Sequence, residues 1–349
     1  MAKAVAFLGD AFVDVQVAGV QALPGWGEDA EAQGVSLLPG GSCANAARHL
    51  ASIAQDELSV SFCTSVGDDE FGKWFLARLK QEGLLAAPEK SVVVLAGVPQ
   101  STCIVLSGAA DRAMVSCYSS NRMMQAEDFE ATLRAQTCAH LHLGGYFNCE
   151  KLQTNALLAL VGTLRGQGTR VSLDTQFDAS DRWTGADGHL KRLLPLLDVF
   201  LFNETEGAGI AAACLPAGGG AAAAAAPPGG AAALLETLAA AYPQALVVVK
   251  CGAEGVLAAR AERRWQCAAY RTEVVDTTGA GDSFNAGFLH RYVLDPEDVG
   301  AALRGGCAAG ALCVATAGAC PTPIAKGALE AFLRARAGPE EEPVARSAG

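Results

Sequence analysis

The stretch Val274-Val275-Asp276-Thr277-Thr278-Gly279-Ala280-Gly281-Asp282-Ser283-Phe284 decides how the rest of the chain is read. It reads as the end of an apolar strand, a glycine-rich turn, and an acid where a helix over Phe284 to Tyr292 begins. Glycines at 279 and 281 free the backbone, so consecutive N–H groups can converge on one point. A helix N-terminus adds roughly half a positive charge there, which suits a phosphate. Asp282, beside that point, has the chemistry to accept a proton from an attacking hydroxyl. Taken alone, the segment serves equally well as structural punctuation, because the helix dipole favours an acid in any first turn. It is not a Gly-x-Gly-x-x-Gly fingerprint, since Phe284 holds the third glycine position. Nor is it a phosphate loop of the Gly-Lys-Ser/Thr type, which occurs nowhere in the chain.

A second turn-to-helix junction lies near the N-terminus, at Pro39-Gly40-Gly41-Ser42-Cys43-Ala44-Asn45-Ala46-Ala47. Adjacent glycines at 40 and 41 allow a ligand close to the backbone, and Asn45 offers a donor and an acceptor together. Upstream, Ala4 to Leu8 reads as a buried first strand, with Asp10 and Asp14 after its carboxyl end, where open α/β sheets bind ligands. An acid there can accept hydrogen bonds from two hydroxyls, as sugars require. Turn formation accounts for Asp10 equally well, and an outward strand position for Asp14.

A third element, Val199-Phe200-Leu201-Phe202-Asn203-Glu204-Thr205-Glu206, again runs from strand to polar residues. Asn203 and Glu206 share one face of an incipient helix, where a carboxylate could hold water on Mg²⁺. The plainer reading, favoured for this element standing alone, is an Asn N-cap followed by acids in the first turn.

In this order and spacing the three elements resemble the ribokinase/PfkB family of carbohydrate and nucleoside kinases, from Gly9 to about Pro323. Supporting matches are Val66-Gly67-Asp68-Asp69-Glu70-Phe71-Gly72 and Gly318-Ala319 with Pro321. The resemblance implies a three-layer α/β/α sandwich with a mostly parallel central sheet and a small β lid over the acceptor. It implies ATP-dependent phosphorylation of a hydroxyl on a sugar or sugar-like acceptor. Asp282 matches the family's catalytic base, and Gly279, Ala280 and Gly281 match its anion hole. Asp14, Gly40, Gly41 and Asn45 fall at the acceptor, with Asp10 beside them. Asn203 and Glu206 match the Asn-x-x-Glu element associated with Mg²⁺ and phosphate, while Lys250 and Gly252 lie on the nucleotide side. Asp276 and Thr278 match positions near a monovalent-cation site of some members, which would add K⁺ to ATP and Mg²⁺.

The chain also departs from the pattern. Lys250 stands at a position where threonine is usual, and could either reach a nucleotide phosphate or snorkel to the surface. Asp174-Thr175-Gln176-Phe177-Asp178 replaces the Asp-x-Asn-x-Arg run of many sugar-specific members, and Phe12 replaces a polar residue of ribose-specific ones. A nucleoside acceptor is therefore the main rival to a free sugar. A catalytically idle nucleotide- or sugar-binding regulator is the alternative from another class. The acceptor itself is not named by these residues.

Composition agrees with an enzyme of small molecules. A net charge of −11 with no basic patch argues against nucleic-acid binding. The 51 % hydrophobic content is inflated by alanine, and no apolar run reaches spanning length, so no membrane partner is expected. A strand starting at Ala4 leaves no room for a leader, which with 12 cysteines lacking any Cys-x-x-Cys pair suggests reduced thiols in a cytoplasmic protein. His140 and His142 alternate with leucines and read as strand packing rather than ligation.

Strand and helix patterns alternate, which predicts a parallel sheet covered on both faces within one kinase domain over residues 1–330. Val15 to Leu38 and Val92 to Cys117 read as strands outside that sheet, forming the lid. In the family this element often mediates dimer contacts, so the resemblance allows a homodimer. Ala211 to Gly230 reads as a low-complexity insertion, and the tail over 338–349 as disordered.

Overall fold

The first strand, β1 (Lys3–Gly9), is buried on both faces: Val5 and Phe7 enter one core while Ala6 and Leu8 enter the other. The computed structural model describes residues 2–84, 91–108, 112–215, 229–316, 318 and 321–336. The strands that follow are β2 (Phe12–Val20), β3 (Gly34–Gly40), β4 (Leu58–Gly67), β5 (Val92–Leu95), β6 (Thr102–Gly108) and β7 (Arg112–Cys117). Further on come β8 (Cys138–Gly144), β9 (Arg170–Asp174), β10 (Val199–Asn203), β11 (Leu246–Lys250), β12 (Val256–Arg260) and β13 (Arg263–Cys267). Nine of them form one sheet in the order β13-β12-β11-β10-β9-β8-β1-β4-β5, parallel except for the antiparallel edge β11-β12-β13. The order reverses between β1 and β8, where the crevice of such a sheet opens at the strand C-termini.

Helices cover both faces. The core on the Val5 and Phe7 side takes α1 (Ser42–Ala54) and α2 (Glu70–Gln81). The opposite side takes α4 (Glu127–Ala135), α5 (Asn155–Gly166), α6 (His189–Leu193), α7 (Glu204–Cys214) and α8 (Gly230–Ala241), with the short α3 (Ser119–Met123) before them. The chain then returns to the first side with α9 (Ala280–Leu294), α10 (Val299–Val314) and α11 (Lys326–Ala335). This is the ribokinase-like α/β/α sandwich that the motifs imply.

Helix α9 is buried around its whole circumference from Asp282 to His290. A helix so enclosed cannot be amphipathic, and it carries its functional residues into the interior. It lies so close to α10 that a Cβ on Gly287 would stand 2.3 Å from the Gly305 carbonyl oxygen and 2.8 Å from the Ala309 Cβ.

Four strands form a separate sheet in the order β3-β2-β6-β7. Residues 92–95, grouped by sequence with this sheet, instead pair in parallel with β4 at the edge of the main one. The separate sheet begins at Phe12, earlier than the expected Val15. The strand expected before Gly279 is not formed either. Val274 and Val275 are 61 % and 57 % exposed, and the Val275 and Asp276 amides donate to the Val314 carbonyl at the end of α10. Two short apolar residues with no neighbouring strand edge cannot build a ladder. Ala211 to Cys214, read as the start of an insertion, are the last turn of α7, and Gly230 opens α8. Residues 216–228 and the tail 338–349 lie outside the described residues. Among the described residues no helix is long and apolar enough to cross a membrane.

The close α9–α10 approach makes Gly287→Ala destabilising by about 1–3 kcal/mol through overpacking, although alanine is the better helix former. Denaturant midpoints of the two proteins measure this, and a stabilised variant would contradict the contact.

Candidate active site

Two helix N-termini face each other in the crevice. Helix α1 starts after Gly41 (φ 96°) and α9 after Gly279 (φ 75°), and neither start has a side-chain cap. Both glycines adopt the left-handed conformation that other residues avoid. At α1 the first-turn amides of Cys43 and Ala44 donate to Asp10, at 2.8 Å to its carboxylate and 3.3 Å to its carbonyl, whereas the first turn of α9, with no side-chain cap, is open to an anion, as at many phosphate-binding helix ends. Gly281 differs from what its sequence context suggests: it is an ordinary helical residue of α9, and a Cβ on it would come into contact with the Lys250 ammonium.

The two helices are joined by their side chains. Asn45 Nδ2 donates to Asp282 Oδ2 at 3.1 Å, across 237 residues of chain. The Asn45 amide is oriented in turn by Arg48, whose Nη1 donates to Asn45 Oδ1 at 3.3 Å. Arg48 is 2 % exposed and forms a two-pronged pair with Glu82 at 2.6 and 2.7 Å, as the planar guanidinium favours. A further N–H of Arg48 donates to the Pro321 carbonyl at 2.9 Å.

Asp14 lies on β2 opposite Leu38 of β3 and Cys103 of β6, and is buried rather than outward-facing. A Cβ on Gly40 would stand 2.2 Å from its carboxylate, so that glycine makes room for the acid. Asp10 is occupied by the protein itself. Its Oδ1 accepts the Cys43 amide at 2.8 Å and its Oδ2 accepts Asn148 Nδ2 at 2.8 Å, which ties the start of α1 to the end of β8. Its carboxylate partners lie 33 and 138 residues away in the chain, so it ties remote segments together beside the crevice rather than closing a local turn.

On the other side of Asp282, Lys250 closes β11. It does not snorkel; its Nζ donates to Asp174 Oδ2 at 2.8 Å, with the carboxylate fully buried at the end of β9. Asn203 and Glu206 form a capping box at the start of α7, each backbone N–H donating to the other's side chain at 2.9 Å. Gly252 (φ 54°) opens the short turn between β11 and β12. The Asp276 carboxylate accepts the Thr278 amide at 2.8 Å and the Gly318 amide at 2.9 Å, pinning the loop before α9.

Five carboxylates gather with few counter-charges. Burial pushes Asp282 from the usual carboxylate range up to about 7, with Asp174 and Asp10 adding repulsion against the Asn45 hydrogen bond and Lys250. Burial likewise raises Asp14 to about 7, reinforced by Asp282 and Asp10 and opposed by Arg48. Glu206 rises to about 7, first by burial and then by Asp174. Asp174 goes the other way: burial works against its charge, but Lys250 and Asn285 outweigh it. A buried acid titrating near neutrality, beside uncapped amides and an ammonium, can exchange a proton with a hydroxyl while an anion rests on the helix end.

Asp282, Asn45, Asp14 and Lys250 therefore come together in the crevice, while Asn203 and Asp276 bond to local backbone. Sequence reasoning missed Asp174 and Asn285 as parts of this cluster. Asp174 ends an apolar strand, the same signal that marks Asp10, and Asn285 lies one turn beyond Asp282. Arg48 and Asn148 carry no such signal, because only the packing of α1 against α2 and β8 brings them in.

Comparison with known proteins agrees with the geometry. A family model described as pfkB family carbohydrate kinase matches residues 2–325, and the chain belongs to this family. It is 28 % identical over 297 residues to an ATP-dependent ribose-1-phosphate kinase of Halopiger xanaduensis, covering 85 % of this chain and 87 % of the relative. It is 26 % identical over 277 residues to an adenosine kinase of Schizophyllum commune, covering 75 % of each. Arabidopsis thaliana ribokinase, solved with ribose and ATP, superimposes with a TM-score of 0.75 at 22 % identity, covering 96 % of this chain and 99 % of that one. At that identity the superposition shows a shared fold. The chain is a phosphotransferase with an alcohol group as acceptor.

The raised acids set the pH dependence of stability. Between about pH 4 and about pH 7 the folded chain holds protons that the unfolded chain has released, so stability falls as pH rises through this window. Asp282→Asn removes one such group and is more stable than the parent by roughly 1–4 kcal/mol at pH 8, the gain vanishing near pH 4. Thermal unfolding across that range tests the sign; a gain that grows toward acid would contradict it.

Proposed function

We propose that this chain transfers the γ-phosphoryl group of ATP to a hydroxyl of a sugar or sugar-like acceptor, with Asp282 as general base. The observation that carries the reading is Asp282 itself, buried at the N-terminus of α9 and hydrogen-bonded to Asn45 of the facing helix. The acceptor hydroxyl oxygen forms the new bond to phosphorus, the bond to the ADP oxygen breaks, and the hydroxyl proton passes to an Asp282 oxygen. An acid near pH 7 is ionised often enough to take that proton, and basic enough to want it. The amides of Gly279, Ala280 and Gly281 receive the phosphoryl charge, and phosphoryl transfer asks for little beyond positioning and such charge stabilisation.

Asp14, Asn45 and the Gly40-Gly41 backbone are assigned to the acceptor, with Asp10 holding the start of α1 in place. Lys250, Gly252, Asn203 and Glu206 are assigned to the nucleotide side. The Glu206 carboxylate is an oxygen ligand of the kind Mg²⁺ takes; it would hold the ion through water, and the ion would neutralise phosphate charge when bound. K⁺ beside Asp276 and Thr278 belongs to the same proposal.

A nucleoside acceptor is the second reading, and one observation favours it. Phe12, on the strand that carries Asp14, packs edge-to-face with Tyr118 at the start of α3, ring centroids 5.6 Å apart. Such a wall suits a base better than a second sugar hydroxyl.

The outer face of the small sheet supports a homodimer. Leu37, Val15, Ile104 and Val115 stand opposite one another across its four strands, on the face away from Asp14. Leu37, Ile104 and Val115 are 36 %, 39 % and 63 % exposed, an apolar row fitted to a second copy. Ile104→Lys is expected to turn a dimer into a monomer in light scattering, and a parent that is monomeric at all concentrations would remove the proposal.

Release of ADP from Mg-ATP across ketoses, aldoses, keto-deoxy acids and nucleosides, with and without K⁺, identifies the acceptor and the cation dependence. Asp282→Asn should lower turnover roughly 10²–10⁴-fold while nucleotide affinity stays near the parent value. Undiminished turnover in that variant would sink the mechanism, and nucleotide binding without ADP release across the panel would favour the idle regulator.

A further inference from the structure

The cluster around Asp174 is more elaborate than a surface charge pair. Asp174 is fully buried, and Lys250, Asn285 and Gln176 all donate to it. Lys250 of β11 and Asn285 of α9 both donate to Oδ2, and the Gln176 amide donates to Oδ1 at 3.0 Å. The left-handed Gln176 (φ 60°) then reaches from this turn to Ser42 of α1, its Nε2 donating to the hydroxyl at 3.0 Å. Burying an ion pair this completely is a poor way to gain stability, because apolar residues of the same volume serve as well. Asn285 sharpens the point: its Oδ1 is buried without a hydrogen bond, so its amide serves only to donate to Asp174.

The direction of the pair gives it a use. A Cβ added to Gly281 would stand 3.4 Å from Lys250 Nζ, so the ammonium lies against the first turn of α9, where the uncapped amides are. An ammonium has three donors, and Asp174 takes one of them. We propose that Asp174 and Asn285 are positioning residues for phosphoryl transfer, holding Lys250 Nζ at the glycine cradle so that its other N–H groups meet the phosphoryl charge. The proposal rests on the kinase reading and goes one step beyond it. Asp282 and Asn285 lie three residues apart on one helix, so the base and the brace keep a constant spacing. A lysine in place of the family's usual threonine then becomes usable only because Asp174 removes its freedom to swing away.

Titration calorimetry of the full chain with Mg-ATP and with AMP, which lacks the β- and γ-phosphates, tests this. Lys250→Met should weaken ATP roughly 10- to 100-fold and leave AMP within about twofold, while Lys250→Arg retains most of the ATP affinity. Asp174→Asn should weaken ATP about 3- to 10-fold alone, yet add nothing in the Lys250→Met background, because it acts through the lysine. The double variant also removes both buried charges, so it keeps a neutral interior if the single Lys250→Met variant fails to fold. Equal losses for ATP and AMP, or additive losses in the double variant, overturn the positioning role. ATP binding by the parent that ignores Lys250 overturns this inference alone, whereas a parent that binds no nucleotide overturns the kinase reading with it.

Discussion

One hydrogen bond, from Asn45 Nδ2 to Asp282 Oδ2, joins the two halves of this molecule at the point where both helix N-termini meet. For those two side chains to touch, α1 must start hard against the ends of β1 and β8, and α9 must run through the interior. The first condition is met by glycine: a Cβ on Gly144 would stand 2.8 Å from the Cys43 Cβ. The second is met by the bare backbone contact between Gly287 and Gly305. Arg48 completes the constraint by orienting the Asn45 amide from a buried pair with Glu82. Close packing and a charge network thus act on one contact, and the cost of those features is understandable only from the site they assemble.

The same contact concentrates negative charge. Asp10, Asp14, Asp174, Asp282 and Glu206 stand near one another, and burial raises four of the five. Asp174 alone is shifted toward its charged form, because Lys250 and Asn285 are committed to it. A fold selected for stability alone would not keep so many acids in its interior; their presence marks the crevice as the place where local rules are broken for function. In a protein of net charge −11, the proposed binding of an anionic ligand beside these acids calls for a local positive field, which backbone amides, Lys250 and a divalent cation would supply.

Much of this was legible in the chain. The sequence pattern places Ala4 to Leu8 and the His140 and His142 run in strands, and each lies inside an observed one. Asp282 and Asn45 are legible as candidates only as a pair, since each glycine-led helix start taken alone reads equally well as structural punctuation. Val274 and Val275 mislead, since β-branched residues read as strand whether or not an edge is available to receive them. The segment at 92–95 misleads for a related reason: a short apolar strand carries no label saying which of two sheets it will join.

What the sequence by itself determined is local: most of the sheet strands, the glycine-led junctions before α1 and α9, and the residue types delivered at strand ends, although α9 starts at Ala280 rather than at the expected Phe284. These follow from backbone sterics and hydrophobic period, which act over a few residues. What only the tertiary structure decided is partnership. It buried Lys250 on Asp174 instead of letting it reach solvent, committed Asp10 to Cys43 and Asn148, and drew Arg48 and Asn285 into the cluster. Those outcomes depend on desolvation and on distances between elements remote in the chain, and no short-range pattern contains them.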